Sequence, residues 1–135
     1  MEELRRLFLL DLADDIHQLR AEGKTVIICL PFPAYDKRIP DLEIRNAMLS
    51  RIGLVRVATD KTLPDLREQI AELVVSSGAS IFDPRNSLCN SGRCITQING
   101  VSIYIDNNHI AASPIGILEA NLKQVLQNRL PPGSN

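Results

Sequence analysis

Two short apolar runs, each preceded by an amphipathic segment, constrain the fold of this chain more than any other feature. Residues 25–30 and 79–82 are rich in branched and apolar side chains. Helical patterns over residues 2–22 and 64–75 precede them, and each pattern is followed by a glycine, as is common at the end of a helix. Short apolar runs are typical of buried parallel strands. Their alternation with helices predicts a layered α/β domain.

The remaining segments fit the same class of fold. Residues 40–52 have apolar side chains at helical spacing, and residues 55–57 are either a short strand or an extended connection. Residues 94–105 predict a hairpin, since Asn99-Gly100 lies between two apolar runs. Ser113-Pro114 predicts the N-cap and first turn of a final helix.

The length and composition of the chain limit the number of domains and the kinds of partner that we expect. The chain has 135 residues, enough for one domain, which we expect over residues 1–130, with a disordered tail at 131–135. The formal net charge is −1 and aromatic residues make up 4% of the chain, with no long basic run. A binding surface for nucleic acid is therefore not expected.

Nothing in the sequence predicts insertion into a membrane or secretion. The longest strongly apolar run, residues 26–32, is far shorter than the ~20 residues that span a bilayer. Glu2 and Glu3 follow Met1, where a signal peptide would be basic. The chain as written is therefore expected to stay in the cytoplasm.

Asp106 and His109 are the candidate catalytic residues. They are three residues apart, directly after an apolar run and before the expected final helix. An Asp that accepts the Nδ1–H of an imidazole fixes its tautomer and leaves Nε2 to act on a nucleophile, as in a Ser-His-Asp triad. The alternative is that Asp106 caps a turn and His109 is a half-exposed loop residue. His17, on the first helix, is expected to be an ordinary surface or boundary residue.

The three cysteines fall into two groups. Cys89 and Cys94 flank Asn-Ser-Gly-Arg, a turn-forming sequence, so they form either a hairpin disulfide or a pair of reduced thiols on a loop. A metal site is not expected, because no second Cys/His pair supplies the other ligands, and no cofactor is expected. Cys29, within an apolar run, is interpreted as a small core residue.

No residue of the chain is a convincing nucleophile for His109. Ser113 is expected to be an N-cap, and Ser87 and Ser91 to lie in a flexible loop. Cys29 lies in an apolar strand, where a thiolate is disfavoured.

Four stretches resemble the SGNH hydrolase-type domain that is fused to acyltransferase-3 family membrane O-acyltransferases. Residues 19–33 resemble its helix, glycine and strand that ends in Pro-x-Pro, and residues 81–84 resemble its next strand. Residues 88–94 match Leu-Cys-x-x-x-x-Cys. Residues 104–116 resemble Tyr-x-Asp-x-x-His-Leu-Ser-x-x-Gly, with Ile110 and Ala111 in place of Leu and Ser. The resemblance covers residues 5–127.

The resemblance implies a flavodoxin-like, three-layer SGNH fold with helices on both faces of the sheet. It implies acyl transfer or ester hydrolysis on carbohydrate hydroxyls, with His109 as general base and Asp106 as its orienting group. It implies partners as well: an acylated carbohydrate or acyl donor, and the membrane acyltransferase domain of the parent protein. The parent domain would face the periplasm, on the outer side of a bacterial inner membrane, which favours a disulfide between Cys89 and Cys94.

The departures from the family pattern concern the nucleophile. The family carries a Gly-Asp-Ser motif at the start of the domain, and this sequence contains none. We therefore expect a chain that is incomplete at its amino end, either a fragment whose Ser lies upstream of Met1 or a degenerate relative, and inactive on its own. The alternative function is a non-catalytic α/β interaction module, which a homodimer that covers an open sheet edge would suit.

Overall fold

The computed structural model describes residues 2–53 and 56–128, which form two compact units. The first unit comprises residues 2–31, 63–84 and 121–128, and the second comprises residues 32–62 and 85–120. The expected tail at residues 131–135 lies outside the described residues. That residues 1–130 form one domain stays a prediction.

Helices and short strands alternate along the described residues. The helices are α1 (Glu2–Ala21), α2 (Ile39–Leu49), α3 (Pro64–Ser76), α4 (Arg85–Leu88) and α5 (Glu119–Gln127), with 3₁₀ turns at Ser50–Ile52 and Ser113–Leu118. The strands are β1 (Ile27–Cys29), β2 (Ser80–Phe82), β3 (Cys89–Asn90), β4 (Arg93–Cys94), β5 (Gln97–Ile98) and β6 (Val101–Ser102). The expected helices and the expected hairpin are all present, with shorter strands than the sequence predicts.

A parallel pair of strands organises the first unit. β1 pairs with β2 in parallel, with Ile28 opposite Ile81, and the backbone N–H of Leu30 donates to the carbonyl of Phe82 at 2.9 Å. α3 ends at Ser76, and two residues later Gly78 has a φ of +74°, which suits a residue without a side chain. The Arg20 guanidinium from α1 donates to the carbonyl of Ser77 at 2.7 Å and so ties the ends of the two helices together.

The core of the first unit lies between α1, α3 and the two strands. Its buried members come from one face of each helix and from the ends of the strands: Ile16, Val26, Leu30, Ile70, Val74 and Ala79. Only Ile16 of α1 is buried, although the apolar residues of that helix recur at helical spacing. The apolar residues near its start are exposed, with Leu4 70% and Phe8 49% accessible.

The interpretation of Cys29 as a core residue is wrong. Cys29 is exposed, and within the described residues the sheet has two strands only. A strand that has one neighbour leaves part of its surface uncovered, so an apolar run need not be buried along its whole length. The core contacts of this segment are made by Val26 and Leu30 instead.

The second unit is built from α2, α4 and two tight hairpins. β3 pairs with β4 through Ser91-Gly92, and β5 pairs with β6 through Asn99-Gly100. All four turn residues have positive φ, between 49° and 79°, as two-residue turns of this hand require. Buried residues from several segments pack in this unit: Tyr35, Ile39, Leu42, Leu88, Ile103, Tyr104 and Leu118.

Two expectations about serines and one about a strand need correction or restriction. Ser113 is not an N-cap: it is the first residue of a 3₁₀ turn, Ala112 occupies the cap position, and no side-chain cap is made. Ser87 lies in α4 and not in a loop. Residues 56–57 have no regular structure, and Val55 lies outside the described residues.

Candidate active site

The Asp106–His109 segment is a tight loop closed by backbone pairing. Tyr104 and Ile110 form an antiparallel bridge, and the N–H of Ile105 donates to the carbonyl of His109 at 2.9 Å. The N–H of Ala111 donates to the carbonyl of Ile103 at 2.9 Å. The apolar strand that the sequence predicts is therefore turned back on itself, and the acid and the histidine lie on the turn.

The Asp106 carboxylate organises this turn. Its Oδ1 accepts the backbone N–H groups of Asn108 and His109, each at 2.8 Å. Its Oδ2 lies 2.7 Å from Nδ1 of His109. The two backbone N–H groups lower the pKa of the Asp106 carboxyl most, and the imidazole of His109 lowers it less. Together they hold this pKa at about 2. The group is therefore ionised at neutral pH.

An ionised carboxylate fixes the protonation pattern of the ring. A carboxylate only accepts hydrogen bonds, so Nδ1 of His109 must carry the proton that joins the two atoms. In the neutral ring this leaves the lone pair on Nε2, the nitrogen that acts as general base in a triad. The His109 side chain is 67% exposed, so a reacting group can reach it.

The segment from Tyr35 to Ile39 is hydrogen-bonded to this loop. The N–H of Ile39, at the start of α2, donates to the carbonyl of Asp106 at 3.0 Å. The N–H of Tyr35 donates to the carbonyl of Asn107 at 2.8 Å, and the Asn107 amide returns a hydrogen bond to the carbonyl of Tyr35 at 3.2 Å. The loop is thus anchored at two consecutive residues to the chain between Tyr35 and Ile39.

Two buried tyrosines, one from each of the hydrogen-bonded segments, pack against each other. The rings of Tyr35 and Tyr104 meet edge to face with centroids 5.3 Å apart, and both residues are buried. Burial raises the pKa of both phenols, so the hydroxyls stay neutral. Nearby, the Arg85 guanidinium lies 2.5 Å from the Asp60 carboxylate. Rigid aromatic packing below a hydrogen-bonded turn restricts the positions that the acid and the histidine can take.

The cysteine loop is joined in the same unit. Cys89 and Cys94 face each other in the β3–β4 pair and form a disulfide, with Cα atoms 3.9 Å apart. The pairing that the resemblance implied is therefore present in the structure. Among the described residues no group of His, Cys, Asp and Glu side chains could hold a metal ion.

Cys29 does not have the environment of a reactive thiol. Although the residue is exposed, surrounding protein atoms partly desolvate its sulfur, and this desolvation, together with the neighbouring Asp83 carboxylate, raises the pKa of the thiol. Because the thiolate is the nucleophile, this shift disfavours reaction at neutral pH.

The comparisons with known proteins bear on this arrangement. The family model of the SGNH domain (fused to AT3 domains) matches residues 2–120. The chain belongs to this SGNH family. No curated protein sequence matches it.

A solved member of the same fold supports the architecture of this SGNH chain. The periplasmic domain of the Salmonella ser. Paratyphi A lipopolysaccharide acetyltransferase superposes with a TM-score of 0.74 at 13% sequence identity. The match covers 91% of this chain and 50% of that domain, so the chain spans half the length of the solved domain. The expected α/β SGNH fold is confirmed. None of the helices within residues 2–53 and 56–128 combines the length and the apolar composition that a membrane span requires.

The sequence of this SGNH chain suggested Asp106 and His109 as candidate site residues, and the structure places them in contact. The contacts that hold them in place were not predicted. Asn107 and Tyr35 are 72 residues apart, and neither forms part of a local pattern. The Asp60–Arg85 ion pair joins residues 25 apart. The short Asp-x-x-His spacing is a local signal, whereas contacts between distant segments carry none in a single sequence.

Proposed function

We propose that this chain supplies the general base and its orienting acid to an SGNH acyl-transfer site that acts on carbohydrate hydroxyls. His109 takes the proton from a serine hydroxyl as that oxygen attacks the acyl carbonyl, and Asp106 stabilises the imidazolium that forms. His109 then returns the proton to the leaving group. A second cycle moves the acyl group to an acceptor hydroxyl or to water. The observation that carries the proposal is the 2.7 Å contact between Asp106 Oδ2 and His109 Nδ1.

The proposed setting follows from the family. Its domains are fused to AT3 domains, and the structural neighbour is the periplasmic domain of a lipopolysaccharide acetyltransferase. We therefore propose that the site works with a membrane acyltransferase domain, on the periplasmic side of the inner membrane, and that its acceptor is a cell-surface polysaccharide. A disulfide within the β3–β4 hairpin suits an oxidising compartment.

The proposal is tested in the organism that encodes the chain. We expect a chromosomal His109→Ala substitution to abolish the acyl groups that mild alkali releases from the surface polysaccharide. His17→Ala is the matched control, because His17 is the other histidine of the sequence and lies exposed on α1. Unchanged acyl content in the His109 variant, with the protein present at normal level, would contradict the proposal.

A non-catalytic interaction module is the second candidate. It is favoured by the exposed apolar side chains at the start of α1, where Leu4 is 70% and Leu7 is 44% accessible. This function predicts that His109→Ala leaves the acyl content unchanged. It also predicts that the chain is a dimer in light scattering and becomes monomeric when Leu4 and Phe8 are replaced by serine.

A further inference from the structure

A basic pocket in the second unit is not used by the proposed proton transfers. It has a volume of about 260 Å³ and is lined by Lys37, Arg38, Asp41, Leu42, Arg45 and Arg56. Four of these six side chains are cationic and one is anionic. From these residues we propose that the pocket binds an oxyanion, a carboxylate or phosphate group. That a saccharide carries this group rests on the proposed function.

The positive charge of this pocket is only weakly compensated. Asp41 lies 3.7 Å from Arg38, and both side chains are more than 60% exposed, so the pair is worth little in water. Nζ of Lys37 likewise lies 3.7 Å from Oδ2 of Asp36, at the long end of the range for an ion pair. Within the described residues, Arg45 and Arg56 have no acidic partner.

Two hydrogen bonds hold the segment of Arg56 beside α2, the helix that carries Arg45. The Asn46 side chain accepts the backbone N–H of Arg56 at 2.9 Å and donates to its carbonyl at 2.7 Å. This double hydrogen bond fixes the segment after α2 beside the helix that carries Arg45. Leu42, which is buried, provides an apolar base for the pocket.

The chemistry of the lining selects the ligand. Guanidinium groups offer paired N–H donors that match carboxylate and phosphate oxygens, and charge-assisted hydrogen bonds of this kind are stronger than neutral ones. The volume is below the ~300–1,000 Å³ that is usual for a whole drug-sized ligand. It therefore suits one charged group or one sugar residue of a longer chain.

The pocket is connected to the candidate active site through the backbone. Lys37 and Arg38 immediately precede Ile39, whose N–H donates to the carbonyl of Asp106. A charged sugar bound at these residues would be held by the segment that anchors the acid of the pair. That the bound group belongs to the acceptor polysaccharide rests on the proposed function, whereas anion binding itself does not.

The test measures binding with the 135-residue chain at low ionic strength. The probes are a galacturonate oligomer, a glucose phosphate and a neutral maltooligosaccharide, titrated by calorimetry. We expect saturable binding of the galacturonate, the phosphate or both, weakened by added salt, and no binding of the neutral sugar. The preferred charged probe identifies which oxyanion the pocket takes.

Variants assign the binding to this pocket. Arg45→Gln and Arg56→Gln should each weaken binding about tenfold, the loss expected for one charge-assisted hydrogen bond. Arg51→Gln is the matched control, since Arg51 is exposed and does not line the pocket. Circular dichroism checks that each variant is folded, and Lys37→Gln replaces any that is not.

The outcomes separate this inference from the proposed function. Equal binding of charged and neutral sugars, no saturable binding, or an equal loss in Arg51→Gln would overturn the anion site. The dependence of polysaccharide acylation on His109 is measured independently of all three, so either proposal can fail alone.

Discussion

Asp106 serves both the backbone and the imidazole with a single carboxylate. One oxygen accepts two N–H groups of the turn, and the other lies against His109. The same group therefore shapes the loop and orients the ring. Its folded-state pKa of about 2 is lower than the unfolded value of about 3.9.

This pKa shift predicts how stability depends on pH. A carboxyl whose pKa is depressed in the folded state contributes stability that is fully present above the unfolded pKa. The contribution is lost as the pH falls from about 4 through about 2. We therefore expect urea midpoints of the wild type and Asp106→Asn to differ at neutral pH and to converge toward pH 2.

A neutral change in the same loop provides the control. Asn108→Ala keeps the backbone N–H that donates to Asp106 and removes no charge. Its effect on the urea midpoint should be the same at neutral and acidic pH. A difference between wild type and Asp106→Asn that does not change with pH would contradict the assigned ionisation of Asp106.

Among the elements, α1 shows how periodicity and burial differ. Ile16 is 1% exposed and belongs to the core, whereas Leu4, on the same helix, is 70% exposed. We expect Ile16→Ala to lower the free energy of unfolding by about 3 kcal/mol, through lost burial and a cavity. Leu4→Ala should cost less than about 0.5 kcal/mol. Urea denaturation of both variants measures this contrast, and equal losses would contradict the assigned core.

The disulfide of the β3–β4 hairpin is expected to stabilise the fold. A disulfide that closes a loop of this length stabilises by about 2 kcal/mol through the entropy of the unfolded chain. The Cys89→Ser/Cys94→Ser variant should lose about that amount in urea denaturation. Cys29→Ser, which changes a cysteine outside the disulfide, is the control and should stay near wild type. A reductant should destabilise the wild type and leave the double variant unchanged. A double variant as stable as the wild type, or a wild type that the reductant does not destabilise, would contradict the bond.

The sequence predicted these elements where the signals are local. Helix ends follow from glycine and proline, and the hairpin follows from Asn99-Gly100, because these residues restrict φ within a few positions. Burial is not local: Cys29 is exposed because within the described sheet β1 has a single neighbour. The Tyr35–Asn107 anchor likewise depends on segments that meet only after folding.

For the whole molecule, the sequence contains the base and the orienting acid that we propose, His109 and Asp106, but no Gly-Asp-Ser motif. Removing the nucleophile of a triad leaves only the small residual catalysis that other groups supply. We therefore expect no turnover of p-nitrophenyl acetate by the 135-residue chain that depends on His109. The rates of the wild type and His109→Ala should be equal. A rate that falls in His109→Ala and stays unchanged in His17→Ala would reveal a nucleophile within the chain.

The contact between Asp106 and His109 holds the neutral imidazole with its proton on Nδ1 and its lone pair on Nε2. Nitrogen-15 NMR of the imidazoles, recorded above neutral pH, reads this tautomer directly. We expect a protonated Nδ1 and an unprotonated Nε2 at His109, with the pattern lost in Asp106→Ala and kept in the exposed-site control Asp41→Ala. A wild-type His109 protonated on Nε2, or a tautomer unaffected by Asp106→Ala, would contradict this expectation.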